Sequence, residues 1–431
     1  MTVWSVIYYF CLMCSYFIIK PIRDEMGVAS GIENLQLLFS GTFFVMILIV
    51  PLFGWISSRY PREKFLPYVY IFFILNIIIF FALFKSDITH VYIARIFYIW
   101  VSVYNLFVVS VFWSFLSEIF TPDQAKRQFA IIASGGTAGG IVGPTLTTFL
   151  VPVLGTDNLL LVSAMFLGIA LFSVTRLHSW HLKVLNANKI SDPTNNMNKS
   201  HSIRMPGRLL DGVRQVARSP YLIGICSLML LYTSLSTVLY FQQLTIVDSL
   251  YDDPAERTAL FSIIELLTNS LTLFFQLVLT RYAVKKFGIA TILALVPFML
   301  CFGFIALSVM PVLGVIITVQ VMRRSGNYAL TRPVREMLYV VLSKEEKYKA
   351  KNFIDTTIYR GGDMASAWVY TGLSAGLGLS LSAIALVAVP VCVLWTVIAY
   401  KLGKSQEKLT VKKAIQERVF TTGEQTLPPG L

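Results

Sequence analysis

Charge is what this sequence has least of. Only 14% of its 431 residues are charged, while 56% are apolar; a soluble domain carries about 25% charged residues. Histidine is nearly absent. His90, His178, His181 and His201 fall in loops or at the ends of apolar runs, so zinc or imidazole chemistry at membrane depth lacks its ligands. Cys11, Cys14, Cys226, Cys301 and Cys392 all lie inside apolar runs and read as small packing residues, not as disulfides or nucleophiles. No Walker-type glycine loop is present, so ATP, if handled, would be cargo instead of fuel. The expectation is a non-enzyme without cofactor or metal.

What the chain does have is long apolar runs. Twelve are found, at about 3–27, 36–57, 65–85, 91–118, 128–153, 157–176, 219–245, 258–281, 288–309, 311–342, 353–377 and 380–400, each long enough for about 30 Å of hydrocarbon. The first is too long for a signal peptide and no small-residue cleavage site follows it. The expected fold is an all-α membrane protein with twelve transmembrane helices in two six-helix bundles. Residues 1–178 would form the first bundle, 179–218 a polar Asn/Ser-rich linker, 219–401 the second bundle and 402–431 a basic tail.

Basic residues fix the orientation. Arg59, Arg62, Lys64, Lys126, Arg127, Lys285, Lys286, Lys347 and Lys349 fall on one side with the linker and the tail, against only Lys85 and Arg257 on the other. The positive-inside rule then puts both termini in the cytoplasm. The net charge of +13 is mostly topology, and nucleic acid is not expected as a partner. Membrane lipid is, and a monomer in a bacterial inner membrane is the expected form.

Six spans, a long inner linker and six more spans resemble the layout of the major facilitator fold, whose halves each hold a 3+3 inverted repeat. "GWISSRYPREKFL" (54–66) is similar to that fold's loop between spans 2 and 3, with Ser58 where an aspartate is usual. "GGTAGGIVGP" (135–144) in span 5 is similar to its glycine-proline motif, and close helix packing is the physical role of such small residues. Arg95 in span 4 sits where facilitators often keep a base, although an arginine near a helix end also snorkels.

The stretch "MRRSGNYALTRPVREMLY" (322–339) puts charge where charge is expensive. On a regular helix Arg324, Tyr328, Arg332, Arg335 and Tyr339 share an arc of about 80°, with Arg323 pointing elsewhere. Each centrally placed arginine costs at least about 2.5–3.5 kcal/mol in lipid, so the stripe must face a wet cavity or paired acids. Glu336 or Asp355 is expected within reach of Arg332, Arg335 or Arg360. Within the spans Lys20, Arg23, Arg95, Arg323, Arg324, Arg332, Arg335 and Arg360 outnumber Asp24, Glu25, Glu265, Glu336, Asp355 and Asp363 by two, a surplus that suits an anionic small-molecule substrate.

The stripe has a twin. "YFIIKPIRDEM" (16–26) in span 1 aligns without gaps to "YALTRPVREML" (328–338) in span 10, pairing Tyr16 with Tyr328, Lys20 with Arg332, Pro21 with Pro333, Arg23 with Arg335 and Asp24 with Glu336. As inverted-repeat copies they would lie at opposite ends of one cavity, each holding an anion in one access state.

These residues resemble the non-mitochondrial nucleotide transporters, the ATP/ADP exchange translocases of plastids and intracellular bacteria. Arg23-Asp24 late in span 1, Ala125-Lys126-Arg127 with Phe129 and then Gly143-Pro144, and above all Arg324, Tyr328, Pro333, Arg335, Glu336, Met337 and Tyr339 match that family in order. Lys349, Lys351, Asp355 and Arg360 continue the likeness. The resemblance implies Arg23 and Arg335 as substrate contacts. Two departures stand against it: a glutamate of helix 4 falls at Val101 or Ser102 here, and one of helix 7 at Tyr240. The expected function is exchange of a nucleotide-like or other phosphorylated or organic anion. The alternative is proton-coupled movement of another organic anion, a siderophore or carboxylate, with Glu265, Asp24 and Asp363 as proton sites.

Overall fold

The computed structural model describes residues 1–59, 62–86, 90–191 and 215–422. Much of the expected linker (192–214, with His201), part of the loop motif (60–61) and the end of the tail (423–431) lie outside the described residues, as do the side chains of Ser58, Lys126, His181 and Lys349.

Among the described residues every regular element is helical: α1 (Thr2–Ala29), α2 (Leu35–Arg59), α3 (Arg62–Phe84), α4 (His90–Ile119), α5 and α6 (one run, Pro122–Ser191, broken at Gly155), α7 (Pro220–Leu250), α8 (Pro254–Val278), α9 (Thr280–Val309), α10 (Leu313–Gly326), α11 (Arg332–Leu338), α12 (Lys344–Phe353), α13 (Tyr359–Thr371) and α14 (Leu381–Thr422). At Gly155 φ is +77°, a conformation that L side chains rarely adopt, so glycine allows the chain to reverse there. Nine described helical runs are apolar and long enough to cross a membrane, and the α5–α6 run counts for two spans. The two remaining spans are interrupted. A π-turn, Asn327–Thr331, joins α10 to α11, another, Ile354–Ile358, joins α12 to α13, and a third, Gly372–Gly376, follows α13. The protein is therefore an all-α membrane protein of twelve spans. Helix α6 runs on to Ser191 and α14 to Thr422, so the first part of the expected linker and most of the expected tail are helical.

The chain divides into two compact units, Met1–Met205 with Phe241–Ser270, and Pro206–Tyr240 with Leu271–Leu431. In the first, Tyr8, Leu12 and Ile19 of α1 pack with Tyr70 and Phe73 of α3, Tyr104 and Phe112 of α4, and Leu160 and Leu167 of α6. Close approach of α1 to α5 depends on the glycine motif. A Cβ at Gly135 would stand 2.6 Å from the Val6 carbonyl oxygen, one at Gly143 2.9 Å from Phe17 Cβ, and one at Gly139 would meet the Phe10 carbonyl. Small residues let the two backbones touch, which is where helix association in lipid draws its dispersion energy. In the second unit Gly403 of α14 lies against the Ala290 backbone of α9. There Glu407 Oε1 accepts a hydrogen bond from the Ala290 N–H at 3.4 Å, just past a kink at Gly288, where φ is +75°.

Candidate functional site

The second unit holds the cationic stripe, and its geometry starts from Pro333. Proline has no N–H to give the Ala329 carbonyl four residues back. Instead the Thr280 hydroxyl of α9 donates to that oxygen at 3.0 Å, and the Arg332 N–H reaches back five residues to the Asn327 carbonyl. One extra residue in a turn rotates all that follows by about 100°. This corrects the single arc expected for Arg324, Tyr328, Arg332, Arg335 and Tyr339. Arg324 and Tyr328 are half-buried, Arg332 is exposed, Arg335 is half-buried and Tyr339 is fully buried.

Arg335 is the centre of what the turn creates. Its Nη1 donates to the Met229 thioether at 3.0 Å, its Nη2 stands 3.9 Å from Asp355 Oδ1, and its buried Nε has no hydrogen-bond partner among the described residues. Tyr339 is 0% exposed and its hydroxyl also has no hydrogen-bond partner among the described residues. The Lys351 ammonium lies 6.0 Å above its ring and bonds to Glu336 at 2.5 Å. Tyr221 closes the end of α11 by donating to the Leu338 carbonyl at 2.8 Å. Asp355 thus lies near Arg335 as expected, while Glu336 turns to a lysine instead of an arginine. Arg360 stands 3.8 Å from Asp363. Arg323 is buried on neutral partners, Gln320 at 2.7 and 3.1 Å and Ser236 at 2.6 Å.

The first unit holds the span 1 copy. Lys20 donates to Glu265 at 2.7 Å. Arg23 lies 3.4 Å from Asp24 and 4.0 Å above the centre of the Tyr98 ring, a cation–π contact. Tyr16 meets Phe17 edge-on at 5.2 Å. The backbone differs from its twin: Pro21 sits inside an unbroken α-helix, without a π-turn. Arg95 is fixed by structure, since its guanidinium donates to the Ser30 carbonyl at 3.2 Å, where α1 ends and a positive charge is favourable.

Arg257, read from the sequence as an outer basic residue just before the eighth apolar run, lies in the first turn of α8, and the sequence did not show its partners. It pairs with the fully buried Glu25 at 3.1 Å and with Asp248 at 3.4 Å. The adjacent Asp252-Asp253-Pro254 reads as a surface turn, and nothing in that stretch marks its partner. Asn269 and Thr280 were also passed over. Their only signal was an amide or hydroxyl within or beside an apolar run, in a chain whose prolines leave carbonyls in need of donors.

The chain matches the family model described as the Major Facilitator Superfamily over residues 3–330. Among curated proteins it is 24% identical over 353 residues to ADP,ATP carrier protein 1 of Chlamydia pneumoniae, covering 71% of this chain and 66% of that one. It is 22% identical over 473 residues to ADP,ATP carrier protein 2 of the same organism, covering 90% and 86%. Its fold is similar to a crystal structure of the POT family transporter PepTSo, with TM-score 0.65, 12% identity, and 94% and 98% of the two chains covered. Twelve spans, broken helices carrying paired charge at their π-turns, and a family match over most of the sequence lead to one conclusion: the chain belongs to the Major Facilitator Superfamily, and within it is similar to the nucleotide translocases.

Proposed function

We propose that this transporter exchanges a nucleotide-like or other phosphorylated anion across a bacterial inner membrane by alternating access. It would act as a monomer with both termini cytoplasmic. One observation carries the reading. In α11, just after the π-turn, the Arg335 guanidinium has, among the described residues, a thioether and a carboxylate at 3.9 Å as side-chain partners, and the nearby Tyr339 hydroxyl is buried without a described hydrogen-bond partner. Donors held this way suit an oxygen-rich anion, because charge-assisted bonds to phosphate or carboxylate oxygens are about twice as strong as neutral ones. Lys20, Arg23, Arg324, Arg332 and Arg360 would supply further positive field, with Tyr16 and Tyr328 able to stack on or bond to the cargo. The names of the similar carriers favour ADP and ATP as that cargo.

The second reading, proton-coupled movement of another organic anion, is favoured by the two departures. Val101 and Ser102, the two positions that match the translocases' helix 4 glutamate, are buried, and neither they nor Tyr240 carries a charge. Asp24, Glu265 and Asp363 would then be the proton sites. Proteoliposomes separate the two readings: exchange requires an anion on the far side, and symport requires a pH gradient.

A further inference from the structure

Four polar side chains of α8, between Arg257 and Asn269, bond to α1 or α5, all within the first unit. Arg257 donates to Glu25 of α1 at 3.1 Å, and Ser262 donates to the Pro144 carbonyl of α5 at 2.6 Å. Glu265 accepts from Lys20 of α1 at 2.7 Å, and Asn269 donates to the Gly140 carbonyl of α5 at 2.7 Å. The last bond has a covalent cause. Residue 144 is proline, so Gly140 has no N–H four residues on, and the Asn269 amide takes its place.

Two of the four contacts neutralise carboxylates that water hardly reaches: the Glu25 side chain is 0% exposed and that of Glu265 is 1%. A buried carboxylate stripped of its partner is strongly destabilising. Helix α8 therefore stays seated while Lys20 and Arg257 hold these acids. Lys20 also belongs to the basic cluster to which the proposed function assigns the cargo's anionic group, and the present inference rests on that assignment. One ammonium cannot serve both anions at full strength.

We propose that Glu265 is a built-in counter-anion of Lys20, that an oxyanion of the cargo must displace it, and that the displacement unlatches α8 from α1 and α5. Cargo is then coupled to movement by competition for a single charge. A tightly bound anion opens the latch, and a neutral solute of the same shape does not.

The test uses the full chain with its five cysteines replaced and Thr258→Cys introduced. Thr258 is buried on α8 and its hydroxyl makes no hydrogen bond among the described residues, so the exchange leaves the four latch contacts intact. Labelling of that cysteine in proteoliposomes by an impermeant maleimide is followed with no anion, with ATP, with inorganic phosphate and with citrate. Slow labelling is expected without anion and about tenfold faster labelling with the transported one, since tenfold corresponds to 1.4 kcal/mol. Glu265→Gln should label at the fast rate without any anion. The swap of Lys20→Glu with Glu265→Lys should restore slow labelling and abolish the response. Glu265→Asp, a milder change should the glutamine variant not fold, should fall between. Protection of the cysteine in Glu265→Gln or Glu265→Asp equal to that in the parent overturns the inference, as does a parent that responds to none of the three anions. A response to phosphate or citrate but not ATP keeps the latch and removes only the nucleotide reading.

Discussion

The guanidinium of Arg335 and the carboxylate of Asp355 stand 3.9 Å apart, at the limit of an ion pair, one just after the π-turn of span 10 and the other inside the first π-turn of span 11. A pair held this loosely leaves the arginine available to a better anion. Arg335→Ala is expected to lower transport about a hundredfold or more, the usual consequence of losing one preorganised donor to a developing or bound oxyanion. Its thermal unfolding should change little. Arg335→Lys should recover only part of the loss, because an ammonium lacks the planar fork. Uptake at the parent rate in both variants would remove Arg335 from the site.

The π-turn itself can be tested through Pro333. In Pro333→Ala the new N–H can bond the Ala329 carbonyl, now served by Thr280, and the extra residue of the turn loses its cause. Arg332, Arg335 and Tyr339 should rotate by about 100°. Transport is expected to fall at least about tenfold, as misplacement by an ångström or so can do, while the melting temperature holds or rises. A variant with parent activity and a π-turn retained would show that Pro333 does not set this geometry.

The spans were legible in the sequence because lipid demands long apolar runs. The break at Gly155 was legible too, as the short gap between the fifth and sixth runs. The facing of the stripe was not, because a period of 3.6 residues assumes that every N–H finds the carbonyl four residues earlier. Pro333 violates that assumption, and its consequence depends on Thr280, which lies 49 positions away from Ala329. Arg257 eluded the reading for a similar reason: its partner Glu25 is 232 positions distant, and no local pattern encodes such a pair. The twin motif described composition correctly but not backbone, since one copy is α-helical and the other contains a π-turn.

Helix α5 has little room against α1. At Gly139 a side chain would meet the Phe10 carbonyl, with Met13 Cβ at 2.9 Å and the Cys14 nitrogen at 3.1 Å. Two of these three are backbone atoms, which cannot rotate away. Gly139→Leu should destabilise the protein by about 1–3 kcal/mol or prevent its folding, whereas Gly168→Leu, with nothing within 4 Å of its Cβ position, should be tolerated. Thermal unfolding of the purified variants checks the contrast.

A pH effect is expected outside the membrane. Ser343 and Glu346 form a capping box at the start of α12, with the serine hydroxyl accepting from the Glu346 N–H and the glutamate accepting from the Ser343 N–H. Those bonds hold the Glu346 carboxyl below its ordinary value of 4.5. A depressed carboxylate stabilises the fold above its unfolded value and loses that contribution as pH falls through the lowered one. Hydrogen exchange in α12 should therefore be steady from pH 7 to about 5 and show reduced protection at lower pH. Glu346→Gln should abolish that dependence.

The central claim is anion exchange, and counterflow in proteoliposomes tests it most directly. Vesicles containing the purified chain and loaded with ADP should take up labelled ATP. Empty vesicles should take up little, and collapse of a pH gradient should leave the loaded rate unchanged. Uptake that ignores internal nucleotide but follows an imposed pH gradient would contradict the account and establish the symporter in its place.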